Sequence, residues 1–299
     1  MEQKHFNQYR LNTGDAINTL IQRQQKQVIL LYLVITLLLF TDRWLNGMLM
    51  SQLHPSFFVT RMDVSTWAFM YTGIHTLFVN NYTACVVADV LLIVLPIIYV
   101  VLFYKMRYRL AVITAWVILL FNWLYVQCYV LYPSNSIEGH VGWLLFPVVL
   151  ICIQPIDFSL ALKFIRYVLL FFFASAGLWK IRNGGIFTME EMSGVLLFQH
   201  KEFLVTSPNS VLTSFYYGLI AHPVIGYCLY AAGTLLELTF LAGFFTRRLD
   251  KMLLILFFIF LISDILVMRI KYWEVLYLVI PIIFNKDVNI PLFTKYLKE

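Results

Sequence analysis

The chain has 299 residues, of which 61% are apolar and only 13% are charged, and its mean hydropathy is +0.79. Soluble globular chains carry about a quarter charged residues, so this composition excludes an ordinary soluble domain. The net charge of +6 comes from short basic clusters between apolar runs. Such a pattern orients helices in a bilayer and does not indicate a nucleic-acid partner. The sequence predicts an all-α, polytopic membrane protein in contact with lipid.

The N-terminal residues 1–27 are mostly polar, with a few apolar residues at helical spacing. They predict a short amphipathic helix on the membrane surface, and a solvated tail is the alternative. Arg23 and Lys26 precede the first apolar run, so the positive-inside rule places the N-terminus in the cytoplasm. No cleavable signal peptide is expected.

The apolar runs that follow predict about eight transmembrane helices plus interfacial helices, with seven or nine spans as alternatives. Residues 67–78 are too short to span, at about 12 residues against the ~20 that a bilayer needs, and predict a re-entrant or interfacial segment. Residues 182–221 predict an external interfacial segment, and 285–299 a cytoplasmic tail. The whole chain, 1–299, is expected to form one domain with both termini inside. The predicted spans are 28–45, 84–103, 110–131, 140–154, 164–180, 224–245, 252–267 and 273–284.

The four cysteines lie singly inside apolar segments, with no Cys-x-x-Cys spacing. They are typical of small buried hydrophobic residues, so neither a metal site nor a disulfide framework is predicted. These residues are Cys85, Cys128, Cys152 and Cys228.

Five ionisable side chains lie within or at the edges of the apolar runs, where a charge is expensive and needs a reason. The predicted topology places four of them toward the external side and one near mid-membrane. We therefore expect an outward-facing pocket covered by residues 182–221. The five are Asp89, His140, Lys180 and Asp264 on the external side, and Glu237 near the middle.

Each of these groups also has a structural interpretation. Lys180 can extend its ammonium to the membrane interface, as long basic side chains do. Asp264 can form an ion pair with Arg269, five residues later. His140 can serve as a polar residue at the start of a helix, because no second metal ligand lies beside it at ligand spacing.

Glu237 shares a helix face with Gly226 and Gly233. Glycines on one face let a neighbouring helix approach closely. Glu237 can then pair with a basic residue across that contact, either as a link that holds the fold or as part of a site.

Lys180 follows a narrow run of small residues after Phe171, Phe172 and Phe173. A lysine in apolar surroundings loses part of the stabilisation of its charged form and can act as a base. The same apolar neighbours are equally suited to contact lipid.

The residues Ala176-Gly177-Leu178-Trp179-Lys180-Ile181 resemble the Ala-Gly-x-x-Lys-Leu signature of the vitamin K-dependent gamma-carboxylase-like membrane domain, also called the HTTM domain. The likeness continues with Leu235-Leu236-Glu237-Leu238, followed by Arg247 and Arg248, which is similar to the family's next helix and its basic cytoplasmic end. His140 before an apolar helix resembles the family's histidine at the corresponding point. The closest likeness covers about residues 165–250.

This resemblance implies the HTTM fold and a set of roles. In the vertebrate carboxylase the matching lysine is taken as the base that deprotonates reduced vitamin K, which implies Lys180 as a candidate base and His140 as an assisting group. Glu237, Asp264 and Asp89 become candidate positioning carboxylates. The implied cofactor is a reduced, vitamin K-like quinone, the implied partners are an isoprenoid quinone or a peptide substrate, and no metal is expected.

The chain also departs from the family pattern. Asn183-Gly184-Gly185-Ile186-Phe187 stands where a tryptophan usually follows the lysine, and 260–264 stands where the family has a His-Asn pattern. The sequence shows no counterpart of the carboxylase's extramembrane domain, so gamma-carboxylation of glutamate is not expected.

Two hypotheses follow, since a fold does not fix an activity. The first is a carboxylase-like enzyme or a quinone-dependent lyase or oxidoreductase in a bacterial cytoplasmic membrane. The second is a non-catalytic membrane protein with a role in partner binding, immunity, or peptide maturation or export. A transporter is a third, weaker interpretation, because no inverted repeat is visible.

Overall fold

The computed structural model describes residues 2–53, 64–79, 81–131 and 137–284, and these form helices and turns with no strand. The all-α prediction is therefore confirmed for this part of the chain. The helices are α1 (Glu2–Leu45), α2 (Val64–Tyr71), α3 (Thr76–Val79), α4 (Tyr82–Tyr104), α5 (Tyr108–Tyr129), α6 (Val141–Leu145), α7 (Pro147–Ile151), α8 (Pro155–Arg182), α9 (Glu191–Thr206), α10 (Val211–Ala221), α11 (Pro223–Thr239), α12 (Ala242–Phe245), α13 (Asp250–Ser263) and α14 (Leu276–Ile283). Single 3-10 turns lie at Ile137–His140, Gly185–Phe187 and Trp273–Val275, and a π-helical turn at Asp264–Met268.

Within the described residues, five helical segments are long and apolar enough to cross a membrane. They coincide with five of the predicted spans, as in an integral membrane protein. The predicted count of about eight is not confirmed, because 140–154 and 273–284 form shorter apolar helices and 164–180 lies in α8, which is not among the five. The five are Thr19–Leu45, Tyr82–Tyr104, Tyr108–Tyr129, Pro223–Phe245 and Asp250–Met268.

The N-terminal part differs from the prediction, because α1 runs without a break from Glu2 to Leu45. Its polar segment is rich in glutamine, arginine and lysine, which are good helix formers, and contains no proline. The helix whose apolar part is long enough to cross a membrane therefore continues into the polar segment. Residues 67–78, predicted not to span, form the short helices α2 and α3. The predicted tail, 285–299, lies outside the described residues.

The chain divides into two compact units, with the boundary inside α8. The first unit comprises residues 1–165 and 273–299. Within it, α4 packs against α1 and α5, α7 against α5, and α14 against α1. Its core is aromatic: the rings of Tyr32 and Phe146 stack at 5.5 Å, and Tyr277 lies 5.8 Å from Phe146.

The second unit comprises residues 166–272, in which α9 packs against α10 and α11, and α11 against α13. Its core includes the stacked rings of Phe173 and Phe240, 4.4 Å apart. Arg166 and Asp250 form a buried ion pair at 2.6 Å. This unit contains the 182–221 segment.

The segment 182–221 forms α9 and α10. Ser207, which Pro208 and Asn209 follow, lies at the C-terminal boundary of α9. Thr188 and Glu191 have the spacing of a capping box, but this motif does not form. The Thr188 hydroxyl donates to the carbonyl of Gly184, and α9 begins at Glu191 itself.

Candidate functional site

Lys180 and Glu237 form an ion pair between α8 and α11 in the second unit. The Lys180 Nζ donates to Glu237 Oε1 at 2.7 Å. The Glu237 side chain is 3% exposed and that of Lys180 is 30% exposed. The ammonium therefore points to a buried carboxylate of its own unit, which replaces the interpretation in which it extends only to the membrane interface.

Gly177, one of the small residues before Lys180, lies where α8 and α11 come into close contact. A Cβ on Gly177 would lie 3.0 Å from Leu238 Cγ and 3.2 Å from Glu237 Cβ, tighter than an ordinary contact. Because Gly177 precedes Lys180 by three residues, both lie on the same face of α8. The absent side chain lets α11 approach this face and brings Glu237 within reach of Lys180.

The close contact does not use the glycine stripe predicted on α11. A Cβ on Gly233 would meet no atom within 4 Å. One on Gly226 would lie 3.4 Å from Met192 Cβ, which is an ordinary contact with α9. The glycine that permits the approach thus lies on the partner helix, although the predicted Glu237 pairing with a basic residue is present.

The second carboxylate oxygen of Glu237 is the unusual feature of the pair. Glu237 Oε2 is buried and has no hydrogen-bond partner among the described residues. A buried carboxylate oxygen without a donor costs free energy, on the order of 1–3 kcal/mol or more. This oxygen can accept a hydrogen bond from a group that enters the site.

Asp264 completes the acidic side of the site. It is half-buried at the start of the π-helical turn and interacts electrostatically with both Lys180 and Glu237. Its predicted ion pair with Arg269 is not among the ion pairs of the described residues, and the Arg269 guanidinium lies 4.2 Å from the centre of the Phe203 ring. Single π-helical turns within α-helices occur often at functional sites. Two carboxyl groups and one ammonium can hold and exchange a proton.

His140 and Asp89, the other two predicted residues, belong to the first unit and have partners there. His140 Nδ1 lies 3.3 Å from Glu274 Oε1 and 3.4 Å from Arg43 Nη2, and Arg43 pairs closely with Glu274. All three side chains are at least nine-tenths buried. We call Arg43, His140 and Glu274 the arginine cluster.

Aromatic rings cover the arginine cluster. The Arg43 guanidinium carbon lies 4.5 Å from the centre of the Tyr129 ring and 4.7 Å from that of Trp143. A cation over an aromatic face is attracted by the ring's electron density. A Cβ on Gly142 would lie 2.3 Å from the carbonyl oxygen of Glu274, so only glycine lets the two backbones meet there.

Asp89 holds the turn that follows α1. Its carboxylate accepts hydrogen bonds from the backbone N–H groups of Met50 and Ser51, at 3.1 and 2.9 Å, and from the Tyr125 hydroxyl at 2.8 Å. Both oxygens are thus used within the first unit. This arrangement suits a structural role better than a positioning role toward a ligand.

Several buried charges were not singled out from the sequence. Arg43 lies near the end of the first predicted span, 28–45, and Glu274 near the start of the last one, 273–284, so Glu274 carried the same signal as the five predicted groups. Arg166 lies inside the predicted span 164–180 and donates to Asp250 and to the carbonyl of Gly243. The presence of an ionisable residue within an apolar run could have identified Glu274 and Arg166.

A surface groove of about 450 Å³ lies along the start of α9. Lys180 does not line it, so this groove is not the outward-facing pocket predicted around that lysine. Its lining residues are Thr188, Glu190, Glu191, Gly194, Val195, Phe198 and Gln199.

Metal-binding groups are not assembled in the described part of the chain, which contains no set of three or more His, Cys, Asp or Glu side chains that could hold an ion. The four cysteines are free thiols. Cys85 and Cys128 are buried as predicted, Cys152 is half-buried and Cys228 is exposed. No family model, curated protein or solved structure matches this chain.

Proposed function

We propose that this protein is a multi-pass membrane protein of the HTTM type that acts on, or with, a quinone or another isoprenoid lipid. Lys180 is the proton-transfer base, and Glu237 and Asp264 position it. The observation that carries the proposal is the Lys180–Glu237 pair with its unpartnered, buried Oε2. The membrane is a bacterial cytoplasmic membrane, and both termini lie inside.

The pair is suited to proton transfer because its two members stabilise each other's charge. The Lys180 ammonium first passes its proton to the Glu237 carboxylate, with which it already shares a hydrogen bond, and this leaves a neutral amine beside a neutral carboxyl group. Neutral Lys180 then takes a proton from a ligand hydroxyl: the ligand O–H bond breaks, an N–H bond forms at Nζ, and an oxyanion remains on the ligand. The restored ammonium stabilises this oxyanion in a site of low polarity. No electron transfer is required of the chain's own residues.

The assisting role that the family resemblance implies for His140 stays a prediction. His140 is buried in the first unit, where it contacts Arg43 and Glu274. We do not include Asp89 in the proposed site, because its oxygens accept hydrogen bonds from the turn after α1 and from Tyr125.

Binding of a short-chain naphthoquinol to the protein in lipid nanodiscs tests this function. Lys180→Ala is expected to weaken binding at least tenfold, because it removes the cation and leaves Glu237 unpaired. Lys180→Arg keeps the cation, but a guanidinium does not release its proton in a protein, so this variant should bind the quinol and fail to deprotonate it. The matched control is Lys201→Ala, a lysine of the same unit whose ammonium lies over Phe198. Unchanged binding by Lys180→Ala would remove the proposed mechanism.

A non-catalytic membrane protein is the second candidate, with a role in partner binding, immunity, or peptide maturation or export. The observation in its favour is that the Lys180 ammonium already has a carboxylate partner across a close helix contact at Gly177. Lys180→Met combined with Glu237→Leu separates the two candidates. A structural pair tolerates this apolar replacement with its cellular role intact, whereas a proton-transfer site loses its role.

A further inference from the structure

Tyr230 is a neighbour of the Lys180–Glu237 pair that was not predicted from the sequence and has no role in the proposed mechanism. It lies on α11, seven residues before Glu237, and therefore on the same helix face. The Lys180 Nζ lies 5.5 Å from the centre of the Tyr230 ring. The ammonium thus has Glu237 Oε1 as its hydrogen-bond acceptor and an aromatic face as a second neighbour.

Two glycines that follow α8 leave space for the Tyr230 ring. Gly184, in the left-handed region at φ 77°, turns the chain and leads into Gly185. A Cβ on Gly185 would lie 2.5 Å from the Tyr230 hydroxyl oxygen and 3.2 Å from its Cζ. Only glycine leaves room for the tyrosine where it stands. The two glycines that follow Lys180 therefore also define where the ring over Lys180 lies.

The hydroxyl of Tyr230 is available to a ligand. Tyr230 is half-buried, and its hydroxyl makes no hydrogen bond within the described residues. A phenol can donate to a carbonyl or ether oxygen. Near the same ammonium the unit thus presents an acceptor, Glu237 Oε2, and a donor, the Tyr230 hydroxyl.

We propose that Tyr230 is a further positioning residue of the Lys180 site, whose ring holds the ammonium beside Glu237 and whose hydroxyl donates to a ligand oxygen. The placement of the ring stands on the geometry of the second unit alone. The role of the hydroxyl rests on the proposed function, because it requires a ligand at Lys180.

Proton NMR of protein labelled with ¹³C at lysine Cε tests the ring placement without any ligand. The Hε protons of Lys180 should be shifted upfield by the ring current of Tyr230, and Lys180→Arg assigns the signal. Tyr230→Leu should abolish the shift, and Tyr230→Phe should keep it, since the ring remains. The Lys201 signal is an internal reference, because its ammonium lies 4.8 Å from the centre of the Phe198 ring and should stay shifted in every variant.

Gly185→Ala is the most direct test of the ring placement, because the new Cβ would meet the end of the Tyr230 side chain, which can move. The tyrosine ring should be displaced and the Lys180 shift reduced while the protein stays folded. Adding Tyr230→Phe removes the clashing hydroxyl and should restore most of the shift. Gly194→Ala, where a Cβ meets no atom within 4 Å, is the matched control and should change nothing.

Binding of the short-chain naphthoquinol then tests the hydroxyl. Tyr230→Phe should weaken binding on the order of tenfold, the loss of one hydrogen bond, while the NMR shift persists. An unshifted Lys180 signal in the unaltered protein, or a shift that survives Tyr230→Leu, overturns the ring placement. Equal binding by the Tyr230→Phe variant and the unaltered protein overturns the role of the hydroxyl. If the unaltered protein binds no quinol, the proposed function fails, and a Tyr230-dependent shift still supports the ring placement.

Discussion

The two units solve the problem of buried charge in different ways. In the first unit, Arg43 and Glu274 pair at 4% and 9% side-chain exposure, with two aromatic rings beside the guanidinium and a backbone contact at Gly142. In the second unit, the Lys180 side chain is 30% exposed and one oxygen of Glu237 has no donor. The first arrangement is enclosed on both sides of the pair, whereas the second is partly exposed at its lysine.

This difference is the basis on which we propose a structural role for the first pair and a functional role for the second. A buried pair that is enclosed on all sides has no place for a ligand, and removal of one partner leaves the other charge buried without compensation. A pair with one exposed member and one unpartnered oxygen adds less to stability and can exchange partners.

The largest effect is expected from Arg43→Ala. It leaves the buried carboxylate of Glu274 without its main partner, which should lower the free energy of unfolding by about 3–5 kcal/mol. Thermal unfolding in nanodiscs measures the loss. Arg43→Met with Glu274→Leu removes both charges and should recover most of the stability. A double variant as unstable as the single one would show that the pair itself, and not the unpaired charge, matters.

Asp89→Asn should have the next largest effect. An amide keeps one acceptor oxygen but places an NH₂ where Asp89 now accepts from Met50, Ser51 or Tyr125. At least one buried donor loses its acceptor, at a cost of about 1–3 kcal/mol in unfolding free energy. Asp157→Asn, at an exposed position in the first turn of α8, is the control and should leave the unfolding temperature unchanged. Equal stability of both variants would argue against the structural role of Asp89.

Gly142→Ala tests the close backbone contact beside the arginine cluster, because the new Cβ would meet the backbone oxygen of Glu274, which cannot move aside. We expect a loss of about 1–3 kcal/mol. Gly177→Ala should cost less, because its nearest neighbour is the side chain of Leu238, which can adjust. Gly233→Ala is the control, with open space around the position, and should be neutral or slightly stabilising in a helix. A ranking with Gly177→Ala as the most damaging would reverse the contrast between the units.

The helices and the charged residues of the second-unit site could be predicted from the sequence more readily than the arginine cluster of the first unit. Apolar runs identified five segments that the structure shows as long apolar helices. Lys180, Glu237 and Asp264 stood out as charges in apolar surroundings. The structure pairs Lys180 with Glu237, and Asp264 lies within electrostatic range of both. The signal worked because a charge within an apolar run is costly and needs a partner.

There is a physical reason why the pairing in the arginine cluster could not be predicted from the sequence. Arg43 and Glu274 are 231 residues apart, and neither carries a local pattern that names the other. A basic residue at the end of an apolar run is also an ordinary topology signal, which conceals a structural role. In the same way, small residues on two helices indicate close packing, but only the structure shows that Gly177 makes the contact and Gly233 does not.

The smallest effect on stability is expected from Lys180→Met, and it bears most directly on function. Because Lys180 is 30% exposed and Glu237 can take up a proton when unpaired, the loss should be about 1 kcal/mol, well below that of Arg43→Ala. Thermal unfolding of the two variants, side by side in the same nanodiscs, gives the comparison. A small loss, together with lost quinol binding, assigns the pair to a ligand. A loss as large as that of Arg43→Ala would make the pair an element that holds α8 to α11, and the non-catalytic function would then be the better supported one.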